Sequence, residues 1–203
     1  AVTAAGGLVG EVIQVWKPRE LNTHETEWGF SCMSYEISGA LGIKMANPDK
    51  EVISFVGDGS YLLYNSDIYS SVITNNKLII IVCDNGGHAV INRLQLHKGG
   101  KEFNCLLKSS NTSNLVPVDF ASHAKSMGAD GEQVNSIADL EEAFKRAKKS
   151  EKTYVISIHT DGYQWLEGSA YWESPTLSIS TTEENKRSLK EHLEGKKKQR
   201  KGV

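Results

Sequence analysis

The sequence has no apolar run long enough to span a bilayer. The longest, Leu78 to Cys83, falls far short of the roughly 20 residues that a membrane helix needs, which excludes an integral membrane protein. Only three cysteines are present, Cys32, Cys83 and Cys105, an odd number set far apart. That pattern fits neither a disulfide framework nor the short ligand spacing of a zinc site, so they are expected as reduced thiols in a cytoplasmic protein. An excess of charge is also missing: 23 basic residues face 25 acidic ones, for a net charge of -2 and a pI near 6.3. No global positive field therefore recruits nucleic acid or a membrane surface. The amino terminus, Ala1-Val2-Thr3-Ala4-Ala5-Gly6, has no initiator methionine and no basic segment leading into a cleavable apolar core. The expectation is a processed chain or a piece of a longer one. There is no internal repeat and no sign of a second core.

What is present has the composition of an ordinary globular domain, with 39% hydrophobic, 8% aromatic and 24% charged residues. Leu8, Val12 and Trp16 recur at helical spacing over residues 4–16, and Pro18 stops that helix. A loop follows to Ser31. Residues 33–45 form a second helix with Ile37, Leu41 and Met45 on one stripe, ended by Asn47-Pro48-Asp49. From Glu51 the pattern becomes that of a strand whose two faces are both covered, and Gly57-Asp58-Gly59 breaks it. Residues 60–74 read as one helix and 78–83 as the clearest strand. Further helices are expected near 90–96, 119–127 and 137–149, with strands at 132–134 and 153–159. This alternation predicts an α/β fold with a mostly parallel sheet. Residues 86–117 are irregular, and the segment from Glu183 onward is charged and ends in a lysine run, read as a solvated tail.

The chemistry concentrates in Gly57-Asp58-Gly59-Ser60 and Cys83-Asp84-Asn85-Gly86-Gly87. If the strands before them are parallel neighbours joined by a crossover, Asp58 and Asn85 emerge at the same carboxyl edge, where open α/β sheets bind ligands. One carboxylate, one amide oxygen and a nearby backbone carbonyl make about half of an octahedral oxygen shell, the usual way magnesium is held together with phosphate oxygens and water. The flanking glycines let backbone N–H groups approach those oxygens at a helix start. A dinucleotide fold fits less well: the third glycine of that fingerprint falls on Leu62, and a carboxylate beside a bare pyrophosphate repels it unless a cation bridges the two. A Walker loop is excluded because no lysine follows the glycines. Two unrelated tight turns are the bland alternative.

In these residues the chain resembles thiamine diphosphate enzymes, specifically their diphosphate-binding domain in the acetolactate synthase and pyruvate oxidase group. Gly57-Asp58-Gly59-Ser60 with Asn85 carries the resemblance. It extends through the stretch from Cys32-Met33-Ser34-Tyr35 to Asn47-Pro48-Asp49 and through residues 119–159. Within the group, Trp16-Lys17-Pro18-Arg19, the stretch from Glu27 to Met33, and Asn92-x-Leu94-Gln95 look most like the trihydroxycyclohexanedione hydrolases of inositol catabolism.

The resemblance implies a three-layer α/β sandwich over residues 1–165, with 166–203 as an extension carrying the charged tail. It also implies thiamine diphosphate and Mg2+ as cofactors. Asp58 and Asn85 would hold the metal through side chains and Gly87 through its carbonyl. Gly57, Gly59 and Ser60 would form the diphosphate turn. Met33 would wedge beneath the cofactor, with the Ser31 carbonyl and the Met33 N–H gripping the aminopyrimidine. The implied substrate is a cyclic dione. The glutamate that activates the cofactor would come from a separate pyrimidine-binding domain, absent from this chain, in a homodimer or homotetramer. An acetolactate synthase-like lyase and a non-catalytic magnesium-diphosphate binder are the alternatives.

Ala89 departs from the glycine common in the group, and His88 and Arg93 also depart from its pattern. His88, beside the metal loop, is the candidate catalytic proton carrier. His24 is a weaker candidate, while His97, His123, His159 and His192 read as surface or packing residues. Trp165, Tyr171 and Trp172 form an aromatic cluster expected to pack as a lid.

Overall fold

The computed structural model describes residues 1–112, 114–166 and 176–199. Six parallel strands form one sheet: β1 (Val2–Thr3), β2 (Glu25–Thr26), β3 (Ile53–Gly57), β4 (Ile79–Asp84), β5 (Asp130–Val134) and β6 (Tyr154–His159), in the spatial order β2-β1-β3-β4-β6-β5. The helices are α1 (Gly6–Val15), α2 (Tyr35–Ala46), α3 (Asp58–Leu63), α4 (Ser66–Ile73), α5 (Ala89–His97), α6 (Phe120–Ser126), α7 (Ile137–Lys149) and α8 (Glu183–Lys198). The sheet is parallel throughout the described residues, and strands alternate with helices as the sequence pattern predicts.

Strand alternation splits the apolar residues between two cores. Val56, Ile80, Val82 and Val155 pack with Ile37, Ala40, Ile68, Phe120 and Ala124 of α2, α4 and α6 on one face. Ile79, Ile156, Ile158 and Val134 pack with Ala143 and Ala147 of α7 on the other. On that second face Trp16, at the end of α1, meets Phe55 edge-on. Both faces of β4 are buried, which explains why it is a continuous Ile/Val run rather than an alternating one.

The structure differs from the sequence reading in three places. Two-residue strands β1 and β2 lie where no strand was expected, ahead of the first helix and in the loop after it; they are too short to carry a period-2 signal, and pairing alone defines them. The helix expected over 60–74 is two helices. Tyr64 is extended (φ -155°) and the Asn65 amide donates to the Tyr61 carbonyl (3.0 Å), a local bond that competes with helix continuation. The charged segment is helical through Lys198: Thr182 caps α8 by accepting from Asn185 N–H, acidic residues fill the first turn and lysines the last. Its start sits so closely on the chain that a Cβ on Gly99 would lie 2.7 Å from the Glu184 backbone. Trp165 lies beneath the Arg93 guanidinium (4.6 Å), and Tyr171 and Trp172 fall outside the described residues.

At the β5 edge Arg146 of α7 makes a two-pronged pair with Glu132 (2.9 and 2.7 Å), and the Tyr154 hydroxyl donates to the same carboxylate (2.6 Å). The Arg146 hydrogen bonds outweigh burial and hold Glu132 below its ordinary value of 4.5. A carboxyl with a depressed folded-state pKa stabilises fully above its ordinary value and loses that contribution as pH falls through the folded-state value. Glu132→Gln is therefore expected to cost about 1 kcal/mol at neutral pH and much less at pH ~3. Urea unfolding of both proteins at the two pH values checks this; an equal gap at both would refute it.

Candidate cofactor and metal site

Because every strand runs the same way, the segments that follow β1, β3, β4 and β6 all leave from one edge. The register Gly57↔Cys83 sets Asp58, the first residue of α3, level with Asp84, and Asp84 pairs in turn with His159. Asp58 is 5% exposed. Burial, and secondarily the charge of Asp84, push its carboxyl up to about 6, against the pull of the Asn85, Gly87 and Asp58 backbone N–H groups. Its Oδ1 is buried without a hydrogen-bond partner, and so is Oδ1 of Asn85. Two acceptor oxygens left unpaired in one buried corner are costly unless a donor or a cation meets them.

The loop carrying Asn85 is held from both sides. Asp84 Oδ1 accepts the Gly86 N–H (3.0 Å) and Oδ2 faces His159 Nδ1 (3.0 Å). Gly86 and Gly87 have φ of +77° and +139°, the first in the left-handed region that favours glycine and the second in a region that suits glycine alone. A Cβ on Gly87 would lie 2.5 Å from the Cys105 carbonyl. That close approach is part of a latch in which His88 N–H donates to Cys105 (2.7 Å) and Leu107 N–H to Gly86 (2.8 Å). Gly162 rests against the far side of the loop, where a Cβ would come within 3.1 Å of the Asn85 carbonyl. Ala89 fits the loop as the first residue of α5.

The expected turn residues also converge. A Cβ on Gly59 would lie 2.9 Å from His88 Cε1 and 3.7 Å from Met33 Cε, so the imidazole, the thioether and the bare glycine share one spot. Gly57 is different: its φ of -77° is ordinary and nothing crowds its Cβ position, so its backbone does not demand glycine. Ser60 is buried and its carbonyl accepts the Ser34 hydroxyl (2.6 Å). Ser31 and Ser34 flank Met33 with φ of +51° and +76°, left-handed conformations that serine adopts at a cost and that concentrate at functional sites. Glu27 holds this loop, its carboxylate accepting the Phe30 and Cys32 N–H groups (2.8 and 2.6 Å). Ser31 itself is exposed on the loop.

His24 does not join the site. Its Nε2 meets the Thr3 hydroxyl (3.1 Å) and its ring lies by Trp16. His123 bonds the buried Tyr61 hydroxyl (2.9 Å). His159, read from the sequence as a surface or packing residue, instead holds Asp84 and lines a cavity of about 570 Å³ that also reaches Asp58, Asn85 and the 115–118 segment. The only sequence signal for it was its place at the end of a strand level with β4. The start of α1, directly after β1, reaches the same edge, and the run Thr3-Ala4-Ala5-Gly6-Gly7 offered no distinctive motif.

These features, a parallel sheet with a buried acidic residue and a glycine turn at its carboxyl edge, define a class. The family model described as thiamine pyrophosphate enzyme, C-terminal TPP binding domain, matches residues 4–158, and the chain belongs to that family. Among its relatives are proteins named 3D-(3,5/4)-trihydroxycyclohexane-1,2-dione hydrolase. That of Shouchella clausii (strain KSM-K16) is 38% identical over 177 residues, covering 83% of this chain and 28% of the relative. Those of Halalkalibacterium halodurans and Bacillus subtilis (strain 168) are 35% and 34% identical, each covering 90% of this chain and 29% of the relative. The chain thus spans under a third of the length of these relatives. A thiamine diphosphate-dependent 4-hydroxybenzoylformate decarboxylase from Rhodococcus jostii RHA1 shares the fold, with a TM-score of 0.61 and 22% identity over 70% of this chain and 25% of that one. Among the described residues no helix is long and apolar enough to cross a membrane.

A buried, under-paired carboxylate is a stability cost that function retains. In buffer free of divalent cations at neutral pH, Asp58→Asn is expected to stabilise the protein by about 1 kcal/mol or more. Scanning calorimetry with a chelator present reads this as a higher melting midpoint, and a lower midpoint would mean that the carboxylate is already satisfied by its own backbone.

Proposed function

We propose that this chain is the cofactor-binding part of a thiamine diphosphate- and magnesium-dependent enzyme that opens the ring of a trihydroxycyclohexane-1,2-dione by carbon–carbon bond hydrolysis in inositol breakdown. The observation that carries the metal assignment is the pair of buried, unpartnered oxygens, Asp58 Oδ1 and Asn85 Oδ1. Oxygen donors of this hardness suit Mg2+, which keeps the rest of its shell for phosphate oxygens and water. The names of the relatives support the reaction class.

Asp58, Asn85 and the Gly87 carbonyl would hold the metal. The Gly59 and Ser60 N–H groups, at the start of α3 just after Gly57, would hold the diphosphate. Met33 would support the cofactor from below while the Ser31 carbonyl and the Met33 N–H grip its aminopyrimidine. Bound thiamine diphosphate supplies the electron sink for breaking a bond next to a carbonyl. The chain's own contribution is orientation, metal ligation and proton movement. His88, whose ring stands against Gly59, is placed to give and take a proton beside the cofactor, at the imidazole nitrogens.

In this reading residues 1–165 form the cofactor domain and 166–203 an extension. The activating glutamate comes from a pyrimidine-binding domain, with assembly as a homodimer or homotetramer in the cytoplasm.

Titration calorimetry of the complete enzyme with thiamine diphosphate and Mg2+ tests the site: Asp58→Ala is expected to abolish metal-dependent binding, and Asn85→Ala to weaken it by about 10-fold or more. Unchanged affinity in both variants would remove the assignment. For the reaction, the complete enzyme should open the dione without any second carbonyl substrate, and His88→Ala should lower kcat roughly 100-fold while shifting cofactor affinity far less. Full turnover in that variant would eliminate His88 as proton carrier, and an absolute need for a keto-acid acceptor would make the enzyme a lyase of the acetolactate synthase type.

A further inference from the structure

Glu36 lies in the first turn of α2 and is 1% exposed, yet none of the roles above uses it. A lone carboxylate in a core is destabilising unless its surroundings repay it, and an apolar residue of similar volume is commonly as good or better for stability. Its contacts mark it out. Oε1 accepts the N–H of Ala5, the residue that caps α1, at 3.1 Å. Oε2 is buried with no hydrogen-bond partner. Burial raises its pKa, and the groups that oppose this are its own N–H, those of Ala5 and Ser34, and the Ser60 hydroxyl. The backbone carbonyl of Glu36 also accepts the Ser54 hydroxyl of β3 (2.8 Å). The carboxylate therefore bonds the start of α1 and lies within electrostatic reach of the end of the Ser31–Ser34 loop and of the turn at Ser60. The separate Ser34 to Ser60 bond closes the same corner.

Those segments are the ones the proposed function asks to hold two ends of one molecule. The loop would grip an aminopyrimidine and the turn a diphosphate, and the distance between the grips must match the ligand before it arrives. We propose that Glu36 is a positioning residue that sets this spacing, acting through Ala5, Ser34 and Ser60 without touching the cofactor. The inference rests on the reading that the cleft takes thiamine diphosphate, and it also makes a claim about the unliganded protein.

Amide hydrogen exchange of the unliganded protein tests that claim. Glu36→Ala is expected to speed exchange at least ~10-fold in three separate places, around Ala5, Ser34 and Ser60, with β4 and β6 unchanged. Glu36→Gln, which retains an acceptor for Ala5, should stay close to wild type. Titration calorimetry with Mg2+ should then show thiamine diphosphate bound about 10–100-fold more weakly by Glu36→Ala and nearly normally by Glu36→Gln. If the alanine variant does not fold, Glu36→Asp, too short to reach Ala5, must loosen the same three places. Wild-type exchange at those places, or loosening confined to α2, overturns the proposal. A complete wild-type enzyme that binds no thiamine diphosphate overturns the proposed function instead, and the exchange pattern still decides the coupling.

Discussion

The Asp58 carboxylate sits at the mouth of a parallel sheet, almost wholly withdrawn from water, with a second acidic group, Asp84, close enough to raise its pKa further. Left alone, such a group weakens the fold that contains it. The surrounding architecture reads as the means of tolerating it. Backbone N–H groups of Asn85 and Gly87 turn toward the carboxylate, and the turn that aims them needs two glycines at positive φ. That turn would be loose without the antiparallel bridge from Gly87 to Leu106, so a segment far along the chain is recruited to keep one side chain in place. One oxygen each from Asp58 and Asn85 is still unpaired, and these are the oxygens assigned to the metal in the proposed function.

A second corner of the site is organised by the opposite means. Two glutamates of different character border the chain around Met33. Glu27 is half-buried and kept below its ordinary pKa by the Cys32 and Phe30 N–H groups it binds. Glu36 is buried and raised. Between them the backbone passes through two left-handed serines, a strained path that would relax without both anchors. The two corners meet where His88 and Met33 converge on Gly59. A side chain on that glycine would collide with the imidazole, and this is the point at which the Asn85 loop, the Gly59 turn and the Met33 loop meet.

Much of this was legible from residue order. Parallel-sheet strands buried on both faces produce unbroken apolar runs, so β3 and β4 announced themselves. A glycine-flanked aspartate after one such run and an asparagine after the next imply a shared edge from residue order alone. The elements that escaped notice have physical reasons. Strands β1 and β2 are two residues long and exist only through their partners. The break between α3 and α4 depends on one asparagine side chain choosing a backbone carbonyl.

The sequence by itself determined the alternation of strands and helices and the identity of the side chains at the carboxyl edge, because both follow from periodicity and from turn chemistry that act within a few residues. Tertiary structure alone decided the strand order, the level pairing of Asp58, Asp84 and His159, and the burial that raises Asp58 and Glu36. These are properties of pairs and neighbours brought together from distant parts of the chain. A glutamate at the start of a helix reads as a favourable surface charge until packing shows it facing Ala5, Ser34 and Ser60, and desolvation is the physical effect that turns it from a helix-stabilising residue into a strut inside the core.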